Sequence, residues 1–185
     1  ILPADWAGDF LAFCKANPKP CPLIAVSEPG EFAMPKLGAD IDIRTDIASY
    51  RIFEQGQLSG EVNDISDLWR DDLVVFLLGC SFSFEEALIA DGLEVRNISE
   101  GVNVPMYRTN IDCTPAGPFV GEMVVSMRPF APEEALKAVE ISGRFPSVHG
   151  EPIHYANPAE IGIKDINQPD YGDKVSIKEG EHPLF

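Results

Sequence analysis

The sequence predicts an α/β protein, because segments with apolar residues at helical spacing alternate along the chain with short β-branched segments. Residues 3–17 and 132–143 show the helical spacing, and residues 23–26, 50–62 and 122–127 show the strand pattern. The chain has 185 residues, of which 45% are hydrophobic, and this is enough for a substantial core. We therefore expect one globular domain, or a domain with a small subdomain.

The beginning of the chain predicts a helix, a strand and a hairpin. Residues 3–17 place Trp6, Phe10 and Phe13 on one helical face. Three prolines follow and enforce an extended segment that leads into the strand at residues 23–26. The two halves of the stretch 50–62 flank a turn that contains glycine, which is typical of a β-hairpin.

The longest apolar run of the sequence, residues 73–78, is compatible with a buried strand or with a buried helix. Apolar residues before the run repeat at helical spacing, so we predict a helix that ends at Gly79. A second helix follows, and Ser83 with Glu86 fits the capping box that would begin it. Helix starts leave backbone N–H groups unpaired, so residues 79–84 could hold a carboxylate or a phosphate group, although a plain helix corner explains the same pattern.

The second half of the chain continues the alternation. Residues 93–98 and 122–127 have the pattern of strands, and the second of these strands has Arg128 at its end. Residues 132–143 form a predicted helix with acidic residues in its first turn, and residues 152–155 form a short predicted strand. Strand ends are where α/β proteins build their sites, so Arg128 is a candidate binding residue.

The charge of the chain restricts its partners. Fourteen Lys and Arg residues face thirty Asp and Glu residues, which gives a net charge of -16 and a pI near 4.4. Nucleic acid and anionic membranes need a positive face, so we expect neither as a partner. A small anionic substrate would need a local cluster of cationic groups. The oligomeric state is not fixed by the sequence, and a homo-oligomer is compatible with it.

The four cysteines show no CxxC pair and no regular spacing. This argues against a zinc ribbon and against a disulfide framework, so a reducing cytoplasm is the expected location. The sequence has no apolar stretch of membrane-spanning length, and its start has no signal-peptide pattern. The chain begins at Ile1 without Met and stops at Phe185, and both ends look cut.

Three short segments combine hydrogen-bond donors, acceptors and a cation, and we hypothesise that they converge on one site. They are residues 79–86, 107–110 and 126–128. Arg108 and Arg128 are suited to bidentate binding of substrate carboxylates, although either arginine could instead neutralise one of the many acids. The predicted hydrogen-bonding residues around them are Ser81, Ser83, Tyr107, Asn110 and Ser126.

Three further residues are candidates for the chemical step. His149 could act as a general acid or base near neutral pH, or could simply be an exposed loop residue. Glu85 could transfer a proton while the adjacent Glu86 caps the helix. Cys80 could be a nucleophile, or a buried and inert thiol beside an apolar run.

Sequence motifs for common cofactors are missing. The chain has no Gly-rich phosphate loop, no HExxH motif, no GxSxG elbow and no EF-hand loop. Cys80, Cys113 and His149 do not have the spacing of metal ligands. We therefore expect no cofactor and no metal.

Five stretches of the sequence resemble bacterial hydro-lyase proteins of the D-glutamate cyclase family. The stretches are DWAGDFLAFCKANPKPCPL, DLWRDDLVVFLLGCSFSFEEAL, GVNVPMYRTNIDCTPAG, VVSMRP and RFPSVHGEPIH. The resemblance implies a layered α/β fold, a mixed sheet with helices, with a smaller inserted α+β part. Residues 1–100 and 150–185 would form the main part, and residues 101–149 the inserted part.

The resemblance also implies a lyase that eliminates water, and for the cyclase activity the conversion of D-glutamate to 5-oxo-D-proline. Such a reaction needs a base, an acid and a group that stabilises negative charge on oxygen. We assign acid/base work to Glu85 and His149, and carboxylate binding to Arg108 and Arg128. A protein that only binds or senses a small carboxylic or amino acid would keep the arginines and would need no acid/base pair.

Overall fold

The computed structural model describes residues 1–35 and 37–185. Within this part of the chain, the α-helices are α1 (Ala4–Ala16), α2 (Phe82–Ala90), α3 (Arg96–Glu100) and α4 (Pro132–Gly143). The strands are β1 (Leu2–Pro3), β2 (Leu23–Val26), β3 (Tyr50–Glu54), β4 (Gln57–Val62), β5 (Leu73–Val74), β6 (Phe76–Leu78), β7 (Met106–Asp112), β8 (Glu122–Ser126), β9 (Arg128–Phe130) and β10 (His182–Leu184).

The backbone divides into two compact units. The smaller unit contains residues 1–8 and 25–77, and the larger unit contains residues 9–24 and 78–185. The chain passes from one unit to the other within α1, within β2 and within β6. The predicted division into a main part and an inserted part at residues 101–149 follows other boundaries and stays a prediction.

The smaller unit contains two antiparallel strand pairs and a small core. β1 pairs with β5, and β3 pairs with β4 to form the predicted hairpin, whose turn contains Gly56 at a φ of 79°. The core consists of Met34, Ile43 and Val75, and the half-buried Trp69 packs against it. The indole N–H of Trp69 donates to the carbonyl oxygen of Gly30 at 3.1 Å, which links two loops of this unit.

The larger unit has two hydrophobic clusters. The first joins α2 and α4 to β9 and β10, and the second lies around the antiparallel pair of β7 and β8. Leu88 of α2 and Ile141 of α4 are buried in the first cluster, and Tyr107 and Met127 are buried in the second. The helix predicted at residues 132–143 is therefore confirmed, with Ile141 on its buried side. Leu136, whose apolar side chain predicts a place on that same side, is instead exposed.

The apolar run before Gly79 is a pair of short strands, so the predicted helix at this place is wrong. Ser27 donates its backbone N–H to the carbonyl of Val75 at 3.0 Å, and its hydroxyl accepts from the N–H of Val75 at 3.0 Å. Val74 and Val75 are both buried. A strand that is covered on both faces has an unbroken apolar sequence, which does not show the alternation of a half-buried strand.

Three other local predictions are also wrong, and one of them is the strand at residues 152–155, where Tyr155 forms only an isolated bridge with Leu184. Helix α2 begins at Phe82 with Ser81 at its N-cap position, so Ser83 lies inside the first turn and forms no capping box. The segment predicted as a strand at residues 93–98 contains the start of α3, which ends at Gly101 with a φ of 67°. The buried Arg96 of α3 forms ion pairs with Glu94 and Glu181. The alternation of apolar and polar residues predicted a strand and gave no sign of these ion pairs.

The α/β prediction is confirmed as a mixture of helices and small antiparallel sheets. The strand pairs whose register is defined, β1 with β5, β3 with β4, β7 with β8 and β9 with β10, are antiparallel. A layered mixed sheet with an inserted subdomain is not confirmed. In the described part of the chain, no helix is both long enough and apolar enough to cross a membrane.

We predict that Ile141→Ala lowers the free energy of unfolding by about 2–5 kcal/mol, because it removes methyl groups from a closely packed cluster. Ile141 is 3% exposed, whereas Leu136 on the same helix is 76% exposed. Leu136→Ala is the matched control and should change the free energy of unfolding by no more than about 0.5 kcal/mol. Urea unfolding followed by circular dichroism measures both, and equal effects would contradict the packing of α4.

Candidate active site

A cavity of about 440 Å³ lies in the larger unit, a size typical of small-molecule sites. Most of the side chains that line it are apolar, and they come from both hydrophobic clusters. The polar and charged residues in the lining are Lys19, Cys80, Ser81, Asn103, Ser126, Arg128, Ser142, His149 and Glu151. An apolar cavity with a few convergent polar groups is the usual arrangement for binding and orienting a small molecule.

Arg128 is the most connected of these residues. Its Nε and Nη2 donate to Oε1 of Glu85 at 2.9 and 2.5 Å. Its Nη1 donates to the hydroxyl of Ser126 at 3.0 Å, and its Nη2 donates to the hydroxyl of Ser81 at 3.2 Å. An arginine has five N–H donors, so these four bonds to described residues leave one N–H of Nη1 to contact a ligand in the cavity.

The local backbone explains how these groups meet. Ser126 ends β8 and Arg128 begins β9, and two residues apart on an extended chain point to the same side. Met127 between them points the other way and is buried in the second cluster. Ser81 stands at the N-cap of α2, where its hydroxyl forms no capping bond and accepts from Arg128 instead. The start of α2 and the junction of β8 with β9 therefore meet at one guanidinium group.

Glu85 holds this arrangement from inside the protein. It lies in the first turn of α2, where the helix dipole favours a carboxylate, and it is only 5% exposed. The side-chain amide of Asn97 donates to Oε1 of Glu85 at 3.3 Å, so α3 also supports the ion pair. The ring of Phe84 lies 5.1 Å from the guanidinium carbon of Arg128 and covers it.

Burial and pairing act on the charge of Arg128 in opposite directions. Loss of solvent lowers the pKa of Arg128, and the carboxylate of Glu85 raises it again. The ordinary pKa of arginine is so far above neutrality that the group stays cationic. The lining of the cavity therefore contains a permanent guanidinium cation, and Glu85 is its counter-ion.

His149 contributes a group of a different kind. It has a left-handed backbone with a φ of 85°, which is uncommon for a residue other than glycine. Its Nδ1 lies 2.9 Å from the carbonyl oxygen of Lys19. A carbonyl can only accept, so Nδ1 carries the proton and Nε2 of the neutral ring has a free lone pair. His149 can therefore accept a proton through Nε2.

The turn that contains Cys80 approaches the loop of His149 closely, and glycine makes this possible. A Cβ atom at Gly79 would lie 2.1 Å from the carbonyl oxygen of Ser147, where no side chain fits. The N–H of Gly79 donates to the carbonyl of Pro22 at 2.8 Å. Cys80 itself lines the cavity and is exposed, so the alternative of a buried thiol is wrong.

The structure brings together six of the predicted site residues. Cys80, Ser81, Ser126, Arg128 and His149 line the cavity, and Glu85 supports it through Arg128. The other four predicted residues, Ser83, Tyr107, Arg108 and Asn110, do not line it. Two of the three segments predicted to converge, residues 79–86 and 126–128, therefore meet at the cavity. The third segment does not, and the loop of His149 takes part instead.

The segment at residues 107–110 makes contacts elsewhere. Tyr107 is buried and donates its hydroxyl to the carbonyl of Ile166 at 2.7 Å, and burial raises the pKa of Tyr107 to about 12. Arg108 is exposed and donates to the hydroxyl of Tyr171 at 2.9 Å. Asn110 is exposed and lies beside Gly162. A role of these residues in substrate binding stays a prediction.

Five polar residues in or beside the cavity were missed in the sequence, and Asn103 and Glu151 are two of them. Lys19 is in the proline-rich segment, where the prolines indicated only an extended chain. Asn97 was part of the supposed strand, so its contact with Glu85 could not be foreseen. Ser142 lines the cavity from α4 while its hydroxyl donates to the carbonyl of Ala138 at 2.8 Å. In the described part of the chain, no three His, Cys, Asp or Glu residues are grouped closely enough to hold a metal ion.

Comparison with known proteins finds a family and relatives that are similar to this sequence. The model of the family described as D-glutamate cyclase matches residues 74–185. A Bordetella petrii protein named "Putative hydro-lyase" is 64% identical over 185 residues, which are 100% of this chain and 70% of that protein. Proteins with the same name from Bordetella pertussis and Rhizobium johnstonii are each 60% identical over the whole chain, which covers 67% and 69% of their lengths.

We predict that Glu85→Gln lowers the free energy of unfolding by roughly 3–5 kcal/mol, because the charge of Arg128 would remain buried without its partner. The adjacent Glu86 is exposed, so Glu86→Gln is the matched control and should leave stability nearly unchanged. The double variant Glu85→Leu with Arg128→Met should recover much of the loss. Urea unfolding measures all three variants, and a fully stable Glu85→Gln would show that the pair does not hold the site.

Proposed function

The chain belongs to the D-glutamate cyclase family, and we propose that it is a hydro-lyase that converts D-glutamate to 5-oxo-D-proline and water. One observation carries the proposal: the cation Arg128 lines the same cavity as His149, whose Nε2 has no hydrogen-bond partner among the described residues. The first group suits a carboxylate that the reaction retains. The second suits the proton transfers that the reaction requires.

The chemistry is an internal condensation. The amine nitrogen of the substrate attacks its own side-chain carboxyl carbon, a C–N bond forms and a C–O bond breaks. An ammonium group has three protons and the lactam nitrogen keeps one, so two protons leave nitrogen. A carboxylate oxygen accepts both and departs as water. The enzyme has to hold the substrate folded and to move these protons from nitrogen to oxygen.

Arg128 is the proposed site for the α-carboxylate, the group that is unchanged in the product. Its remaining Nη1 N–H and the hydroxyls of Ser81 and Ser126, which accept from Arg128 and can donate in turn, are the proposed donors to this carboxylate. The bonds from Arg128 to Glu85 fix the guanidinium plane before the substrate arrives. Arg128 therefore loses little conformational freedom when the substrate binds. The Oε1 of Glu85 accepts from Nε and Nη2 of Arg128 and from the amide of Asn97, and we therefore propose that Glu85 positions Arg128 and does not transfer protons itself.

The apolar walls of the cavity favour the reactive form of the substrate. In water the amine is protonated and the side-chain carboxyl is ionised, and neither charged form reacts. Burial in an apolar site disfavours both charges, so a proton passes from nitrogen to the carboxylate more easily. The neutral amine is then a nucleophile, and the neutral acid has a hydroxyl that can leave as water.

His149 is the proposed carrier of the protons. Its Nε2 accepts a proton from the substrate nitrogen as the C–N bond forms, and donates it to the hydroxyl that leaves. The bond from Nδ1 to the carbonyl of Lys19 at 2.9 Å supports the imidazolium ion that exists between these two events. Cys80 has no part in this sequence, and the remaining predicted residues, Ser83, Tyr107, Arg108 and Asn110, are not used by it. A cytoplasmic location and a homo-oligomer stay predictions.

We predict that the chain converts D-glutamate, and not L-glutamate, to 5-oxoproline, with and without EDTA, as measured by proton NMR of the reaction mixture. His149→Gln should lower turnover by at least about a hundredfold, since it removes the proton carrier, and should leave substrate binding measurable by calorimetry. His182→Gln is the matched control, because His182 does not line the cavity. Cys80→Ser should retain activity.

Two results would redirect the proposal. Saturable binding of D-glutamate without any turnover would favour the alternative of a binding or sensing protein. Loss of turnover in Cys80→Ser, together with normal turnover in His149→Gln, would favour catalysis by the thiol.

A further inference from the structure

We propose that Lys19 is the positioning residue that fixes the ring tautomer and the orientation of His149. The effect of Lys19 on catalysis rests on the proposed function, whereas its effect on the ring of His149 rests only on the contacts between the two residues. Lys19 acts in two ways, through its backbone carbonyl and through its side-chain ammonium group.

The carbonyl of Lys19 sets the tautomer. It accepts from Nδ1 of His149 at 2.9 Å, so the proton of the neutral ring is held on Nδ1. A free histidine side chain prefers the proton on Nε2, and in that form Nε2 would be unable to accept a proton from a substrate. The contact with Lys19 thus converts Nε2 from a donor to an acceptor.

The ammonium group of Lys19 holds the backbone that carries the ring. Its Nζ donates to the carbonyl oxygen of His149 at 3.1 Å and to that of Glu151 at 2.6 Å. His149 and Gly150 have φ angles of 85° and 70°, an arrangement that a loop containing a histidine does not adopt without support. Two bonds from one ammonium group on either side of Gly150 supply this support.

The segment that contains Lys19 is itself held in place. The side-chain amide of Asn17 donates to the carbonyl of Thr114 at 2.8 Å and accepts from its N–H at 2.7 Å. The carbonyl of Pro22 accepts from Gly79 at 2.8 Å. Prolines on both sides of Lys19 restrict the backbone further, so the carbonyl of Lys19 is a fixed reference point for the ring.

The experiment is nitrogen-15 NMR of the histidine rings in the 185-residue chain at a pH where His149 is neutral. The chain has three histidines, and His149→Gln identifies the signals of His149. The proposal requires the wild-type ring to carry its proton on Nδ1. A wild-type ring with its proton on Nε2 would overturn the proposal without any variant of Lys19.

Lys19→Met tests the ammonium group. It removes both bonds to the loop, and the ring of His149 should shift towards the form with its proton on Nε2, while turnover of D-glutamate falls about tenfold as the strained loop relaxes. Lys19→Arg can donate to both carbonyls and should restore the tautomer and most of the turnover. Lys15→Met, at an exposed position of α1, is the matched control and should change neither.

The two readouts separate this inference from the proposed function. A tautomer shift in Lys19→Met that Lys19→Arg reverses supports the positioning role even if D-glutamate is not converted, in which case only the proposed function fails. An unchanged tautomer in Lys19→Met would overturn the role of the ammonium group, including the case in which turnover falls, since the backbone carbonyl that this variant keeps would then be sufficient to position the ring.

Discussion

The buried ion pair of Arg128 and Glu85 is the interaction on which the larger unit depends. Glu85 comes from α2, the supporting Asn97 from the next helix, α3, and Arg128 from β9, which is 43 positions after Glu85, so one pair of charges links three elements. Neither charge is tolerable alone, because each is at most 5% exposed. The pair fixes the relative placement of these elements, and it holds Arg128 in the lining of the cavity.

The polar groups that line the cavity are held in place in two different ways. Around Arg128 the restraint is electrostatic, since oppositely charged groups hold each other among apolar side chains. Around His149 it comes from the backbone, since carbonyl groups and a lysine hold a loop with two left-handed residues. Both reduce the freedom of the polar groups before a ligand arrives. A small site with few polar groups can therefore still orient a ligand.

The sequence pattern predicted the elements whose structure depends mainly on neighbouring residues. The helices at α1 and α4 and the hairpin of β3 and β4 were predicted because their apolar spacing and turn residues are self-contained. The run at residues 73–78 was not, because burial on both faces removes the alternation by which a strand is recognised. Arg128, Ser126 and His149 were predicted as site residues from their chemistry and from their neighbours in the sequence. Lys19 contacts His149, 130 positions away, and Asn97 contacts Glu85, 12 positions away. No local sequence pattern predicts such contacts.

The pairing of Arg128 with Glu85 has a consequence for how a ligand arrives. The chain has a net charge of -16, so at long range it repels an anionic acid, and the guanidinium group of Arg128 acts only at contact distance because Glu85 balances its charge. Salt screens charges beyond a Debye length of about 8 Å at physiological ionic strength, and this weakens the repulsion more than it weakens the buried contact. Association of an anionic ligand should therefore become faster as salt is added, which is the reverse of the behaviour of enzymes that attract their substrates from a distance.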